Sequence, residues 1–90
     1  MDERSNLLAR HEIVRAYMYA LENLPKVLAV CASSRDETDA VQRLRELFNI
    51  SEIAADGILR LQVIRFIPEQ IERVRSELND IEMRLAQSDR

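Results

Sequence analysis

The stretch Ser51–Phe66, SEIAADGILRLQVIRF, decides how this chain is expected to fold. It opens with a serine, a residue type that caps helices, and apolar residues then recur at helical spacing. The pattern predicts a helix from Ser51 to about Arg65. This helix contains Gly57, the only glycine of the 90 residues, and no residue set typical of catalysis or metal binding. The stretch therefore raises the question of what a helix without reactive residues does in a chain of this size.

The composition favours an all-α fold. The chain is 47% hydrophobic and 32% charged, with one glycine and two prolines. Such a composition is typical of long helices and too apolar for a disordered chain. Ninety residues are enough for one domain at most, so we expect a single domain over residues 1–90.

Two long helices are predicted near the two ends of the chain. Over residues 3–32, apolar residues are separated alternately by three and four positions, which is a heptad pattern, with a second apolar stripe beside it. Pro25 lies inside this helix and should bend it near Leu21. Residues 68–88 show the same alternation strictly, after Pro68 in the first helical turn. We expect the following seam residues where the two helices meet: Val14, Leu21, Leu28, Val74, Leu78 and Leu85.

A smaller helical unit is predicted between the two long helices. Asp36 is placed to cap a short helix that ends at Phe48, and Asn49 follows where a left-handed residue commonly ends a helix. The helix that begins after Ser51 comes next. We call residues 36–67 the knob and the two long helices, 3–32 and 68–88, the arm. The predicted architecture is an antiparallel coiled-coil arm with a helical knob between its two helices.

Charge and cysteine content bear on the partners and the compartment. The net charge is −3 and no segment is a block of basic residues, so direct DNA binding is not expected. There is no signal-peptide pattern and no apolar run long enough to cross a membrane. A single cysteine, Cys31, allows no disulfide within the chain and fits a reducing compartment. These features favour a cytoplasmic protein.

Several candidate sites are better explained as structure. HEIVR, residues 11–15, begins like a zinc-protease helix but has Arg15 where the second histidine belongs. Cys31 falls on the heptad seam and is expected to be a buried thiol. Tyr17 is expected in the core, and Tyr19 at a surface or an interface. The acidic residues of 68–88 alternate with arginines and indicate a solvated face. We therefore expect no enzymatic activity, no cofactor and no metal site.

The segment RELFNISEIAADGILRL suggests an alternative, because a helix, a short turn and a second helix resemble a DNA-reading helix-turn-helix. The second helix, however, opens with Glu52 and Asp56, at the place where phosphates and bases would be contacted. A small DNA-binding protein remains the alternative function.

A longer match points to a known family. RLRELFNISEIAADGILRLQVIRF, followed by a charged helix, resembles the A subunit of bacterial type IIA topoisomerases, DNA gyrase and topoisomerase IV. The family pattern is Ser-Glu-x-x-Ala-x-x-Ile-Leu, and Ser51, Glu52, Ala55, Ile58 and Leu59 match it. Upstream, EIVRAYMYALENLPKVLAVCASS is similar to another helix of the same protein. The resemblance covers most of the chain in one order.

The resemblance implies both a fold and a role. In the family this segment is an antiparallel coiled-coil arm ending in a knob, and two knobs meet across a twofold axis as the exit gate for DNA. We therefore expect a non-enzymatic homodimer, and a full-length topoisomerase A subunit is a second candidate partner. The expected dimer contact consists of Ile58, Leu61, Ile64, Arg65 and Ile67.

The departures from the family also carry information. Gly57 stands at an alanine-like position, where it either costs helix propensity or permits a close approach across a contact. The family's active-site tyrosine, winged helix, metal-binding acids and ATPase lie in other domains, and neither Tyr17 nor Tyr19 matches the active-site position. These 90 residues alone are not expected to cleave DNA.

Overall fold

The computed structural model describes residues 2–88, which fold entirely as helices and connecting turns. Their helices are α1 (Glu3–Glu22), α2 (Leu24–Ser33), α3 (Glu37–Phe48), α4 (Glu52–Leu59) and α5 (Pro68–Ser88), with a short 3₁₀ turn at Val63–Phe66 before α5. The all-α prediction is confirmed. None of these helices is both long enough and apolar enough to span a bilayer.

Helix α1 packs against α5 through the first of two hydrophobic clusters. Val14, Leu21 and Val74 are buried in this cluster, and Leu78 and Leu85 pack against it half-buried. At the cluster's edge the Arg10 and Glu77 side chains form an ion pair 3.0 Å long, and Arg4 Nη1 donates to Ser88 Oγ at 3.0 Å. The beginning of α1 thus lies beside the end of α5. Five of the six predicted seam residues belong to this contact.

The sixth, Leu28, does not, because the predicted helix over residues 3–32 is two helices. The break falls at Asn23, whose φ and ψ of −128° and 38° are not helical. Pro25 has no backbone N–H to donate to the carbonyl of Leu21, and its ring clashes there, so the helix cannot continue. Asn23 Nδ2 donates to the carbonyl of Tyr19 at 2.9 Å and closes the end of α1.

Helix α2 therefore leaves the seam and buries only one residue of its own, Val27. Leu28 is 58% exposed, and the Cys31 side chain is exposed as well. Both expectations, Leu28 in the seam and Cys31 as a buried thiol, are wrong. The physical reason is that heptad spacing places residues on one face only within an uninterrupted helix.

The second hydrophobic cluster joins α1 to the knob and depends on small side chains. Ala16 and Ala20, one turn apart on α1, share it with Ala54 and Ala55 of α4, and all four are buried. Leu44 of α3 is fully buried in the same cluster. Small residues allow two helices to approach closely, so α4 lies directly on the second apolar stripe of α1.

The predicted caps of the knob helices are confirmed. The Asp36 carboxylate accepts from the Asp39 N–H at 2.8 Å, and Ser51 Oγ accepts from the Ala54 N–H at 3.2 Å. Asn49 has φ 54° and ψ 56°, the left-handed conformation expected where α3 ends. These residues set the start and the end of α3 and the start of α4.

The end of α4 differs from the prediction, because this helix stops at Leu59 and not near Arg65. The Arg60 N–H closes the helix by donating to the carbonyls of Asp56 and Gly57 at 3.2 Å each. Farther on, Ile67 is extended, with φ −72° and ψ 137°, as expected for a residue that precedes a proline. The α-helix therefore does not continue from Arg60 to Ile67, and residues Val63–Phe66 form a short 3₁₀ turn instead.

Gly57 allows a close approach, but within the chain. A Cβ at this position would lie 3.0 Å from Cε1 and 3.1 Å from the hydroxyl oxygen of Tyr17 on α1. These distances are shorter than ordinary van der Waals contact, so the ring would have to move. The structure therefore explains Gly57 by the crossing of α1 and α4, and a contact across a dimer is not needed to account for it.

We predict that Gly57→Ala fails to give the stabilisation of about 1 kcal/mol that alanine normally gives in a helix, because the new methyl meets Tyr17. In a Tyr17→Leu background, which removes the ring, the same change should be stabilising. Urea unfolding of the four proteins of this double-mutant cycle measures the difference. Equal effects of Gly57→Ala in the two backgrounds would contradict the explanation.

Candidate partner surface

The connection between α4 and α5 exposes three apolar side chains. Val63 is 81% exposed, and Ile64 and Ile67 are each 51% exposed. We call these three residues the apolar strip. Isolated apolar residues are common on protein surfaces, but three within five positions of a short turn are typical of a contact surface.

The backbone around the apolar strip is held in place. Within the turn, the Arg65 N–H donates to the carbonyl of Gln62 at 2.9 Å. The carbonyl of Ile67 accepts from the N–H groups of Gln70 and Ile71 at 2.8 and 3.0 Å, which joins the strip to the first turn of α5. Phe66 packs against the α1–α5 cluster from the same turn. The strip is thus presented by an anchored segment, so little conformational entropy is left to lose on binding.

On the α4 side, Arg60 links the start of the turn to α3. Its Nε donates to Asp56 at 3.0 Å and its Nη2 to Glu37 at 2.6 Å. The hydrogen bond with Asp56, together with the negative charges of Asp56 and Glu37, raises the pKa of Arg60 above its ordinary value. The charged guanidinium bridges Asp56 on α4 and Glu37 on α3, and it holds the end of α4 beside the start of α3. The Arg60 and Glu37 side chains are 65% and 63% exposed and Asp56 is 43% exposed, so the energy of these pairs is modest.

The structure divides the five predicted contact residues into two groups. Ile58 is only 4% exposed and lies in the α1–α4 cluster, so its assignment to a contact surface is corrected. Leu61 is half-buried against the same cluster. Ile64, Arg65 and Ile67 are exposed and lie together in the turn and just after it.

Sequence reasoning missed Val63, the most exposed member of the strip. A helix continued to Arg65 would put Val63 on a different face from Ile58 and Leu61. Because α4 ends at Leu59, the register is lost and Val63 comes to the surface beside Ile64. The signals that could have located this end are Gly57, which weakens the helix, and the extended residue required before Pro68.

The residues considered for chemistry have structural neighbours. His11 Nε2 lies 3.0 Å from a Glu82 carboxylate oxygen across α1 and α5. The Tyr19 ring stacks on Phe48 with centroids 6.0 Å apart, and the Arg15 guanidinium lies 5.5 Å from the Tyr19 ring centre. Within residues 2–88 there is no cluster of three or more metal-ligating side chains.

The acidic residues of α5 lie on its exposed face, as predicted. Arg73 pairs with Glu69 at 3.2 Å, and Arg84 pairs with Asp80 at 3.3 Å, each across one helical turn. Surface pairs of this kind support a helix weakly and do not form a binding site.

The amino-acid sequence of this chain is similar to one segment of much larger proteins. The chain is 30% identical over 80 residues to the A subunit of DNA gyrase from Metamycoplasma arthritidis, over 89% of this chain and 9% of that protein. It is 33% identical over 72 residues to the A subunit of DNA gyrase from Treponema pallidum, over 80% of the chain and 9% of that protein. With the A subunit of DNA topoisomerase 4 from Staphylococcus aureus it shares 32% identity over 85 residues, 94% of the chain and 11% of that protein.

These similarities confirm the resemblance inferred from the sequence. The chain is related to a segment of the A subunits of DNA gyrase and topoisomerase IV, and it spans 9% to 11% of the length of these relatives. No protein-family model matches it.

Proposed function

We propose that this chain is a non-enzymatic, homodimerising module that resembles the gate segment of a topoisomerase A subunit. The observation that carries the proposal is the apolar strip, in which Val63, Ile64 and Ile67 are half or more exposed on an anchored turn. Burial of an exposed aliphatic side chain contributes about 1.5–3 kcal/mol, so a strip of this size favours association. The relation to the A-subunit segment supports a second copy as the partner.

The finer architecture belongs to the same proposal. We propose that α1 and α5 form an antiparallel coiled-coil arm and that residues 36–67 are a knob at its far end, within one domain. The alternating heptad spacing supports this, and so does the contact of the first α1 residues with the last α5 residues. Cytoplasmic location is part of the proposal and rests on the single cysteine.

A non-enzymatic role is supported by how the reactive side chains are placed. His11 on α1 faces Glu82, whereas Cys31 lies on α2, on the other side of the break at Asn23. A cysteine nucleophile needs a base within hydrogen-bond reach, and this chain has no second histidine to supply one.

We predict that the protein is a dimer and that Ile64→Asp weakens it at least about 30-fold, because a buried charge in a hot-spot position costs about 2 kcal/mol or more. Sedimentation equilibrium across a dilution series measures the dissociation constant. Met83→Asp is the matched control, since Met83 is 64% exposed on α5, away from the turn. A wild-type monomer at every concentration, or equal weakening by both substitutions, would contradict the proposal.

A full-length topoisomerase A subunit is the second partner that we propose, and its supporting observation is the identity of about a third with such proteins over most of this chain. If the module pairs with it, added module should change the rate of DNA supercoiling by gyrase in proportion to its concentration. Ile64→Asp should abolish the effect and Met83→Asp should not. If the wild-type module has no effect at saturating concentration, the topoisomerase A subunit is excluded as a partner, and only the proposed homodimer remains.

DNA binding through α3 and α4 is the alternative, and the structure offers it less support. The groove between these two helices is lined by Glu37, Glu52 and Asp56, with Arg45 as the one cation among its described lining residues. Three carboxylates repel the phosphates that supply most of the affinity for DNA. We predict no binding to duplex DNA at low ionic strength, measured by fluorescence anisotropy, and salt-dependent binding would favour the alternative.

A further inference from the structure

The apolar strip alone is too small for a stable dimer. Burial of an aliphatic side chain contributes about 1.5–3 kcal/mol, and each Å² of buried apolar surface contributes about 25 cal/mol. The three side chains of the strip therefore supply at most about 360 Å² of buried surface on each copy. A specific interface buries about 800 Å² per partner. If the proposed dimer exists, further surface must be covered on each copy, and it must lie near the strip.

A cleft of about 420 Å³ lies between α2, α3 and the end of α4, and we call it the α2–α4 cleft. Its apolar lining includes Cys31, Ala40 and Leu59, and Asp36 stands among its polar residues. Leu28 lies one turn before Cys31 on α2 and extends the exposed apolar surface. Leu59 precedes the strip by four residues, so the cleft and the strip are neighbours in the chain.

The charges of the two surfaces are complementary. Arg65 lies between Ile64 and Ile67 in the sequence and, within residues 2–88, no ion pair links it to another side chain. In the cleft, Glu37 is already paired with Arg60, whereas the Asp36 carboxylate accepts only the capping N–H of Asp39 among its described contacts. An apolar strip that carries a cation thus faces a cleft of mixed lining in which Asp36, Glu37 and Arg60 together leave one negative charge.

We propose that the strip of one copy lies in the α2–α4 cleft of a second copy, with Arg65 of each beside Asp36 of the other. This inference rests on the proposed dimer and specifies which surfaces form it. A twofold axis makes the contact self-complementary, because strip meets cleft twice. Each copy then buries its own strip and its own cleft, so the buried surface per copy is about twice that of the strip alone.

Cys31 provides a direct test because it is the only thiol of the chain. Its alkylation by N-ethylmaleimide is measured at concentrations above and below the dissociation constant, with Ile64→Asp as the monomeric reference. We expect the rate to fall with the dimer fraction and to stay constant in the Ile64→Asp variant. Equal labelling of monomer and dimer would overturn the cleft assignment, and the dimer would then cover a different surface beside the strip. A chain that never dimerises would contradict the proposed function itself.

A double-mutant cycle tests the charge pair. Asp36→Asn removes the charge but keeps a residue that caps helices equally well, so α3 should remain folded. Asp36→Asn and Arg65→Gln should each weaken the dimer by about two- to thirtyfold, since the pair occurs twice and is partly exposed. The double variant should be no weaker than either single one. Arg73→Gln, on the exposed face of α5, is the control and should have no effect. Additive losses, or no loss, would overturn the pairing of Arg65 with Asp36.

Discussion

Helix α1 is apolar on two adjacent faces, and the order of the other helices follows from covering both. Val14 and Leu21 face α5, and Ala16 and Ala20 belong to the cluster shared with the knob. Exposure of either face to water is unfavourable, so both have to be covered by other parts of the chain. The knob packs on one face and α5 packs on the other. A domain of this size has few other sources of hydrophobic burial.

The two faces differ in the size of their side chains, and this difference places the knob. Aliphatic side chains separate α1 from α5, whereas alanines let α4 lie directly on α1. Gly57 extends the same principle, because its missing side chain leaves room for the Tyr17 ring. Close packing against α1 fixes the position of α4. The end of α4 is followed by the turn that carries the apolar strip.

Two interruptions of helix determine which apolar residues reach the surface. The break at Asn23 removes Leu28 and Cys31 from the seam, and the end of α4 at Leu59 brings Val63 out of the core. Both interruptions are followed by a proline, at Pro25 and at Pro68. The exposed apolar surface therefore results from defined backbone events. Exposed apolar side chains that lie close together in this way are unusual on a small domain, whereas single ones are common.

Local sequence patterns were sufficient for the all-helical class, the caps at Asp36, Asn49 and Ser51, and the start of α5 at Pro68. They also located most of the apolar residues through which α1 and α5 share one cluster. These features depend on periodicity and on the conformations that single residues favour, so they can be read without the packed structure. Three-dimensional packing was needed to show that Ile58 is core, that Val63 is surface, and that the approach at Gly57 is to Tyr17. Periodicity defines the faces of a helix only while the helix continues, and which neighbour covers a face is settled by packing between distant parts of the chain.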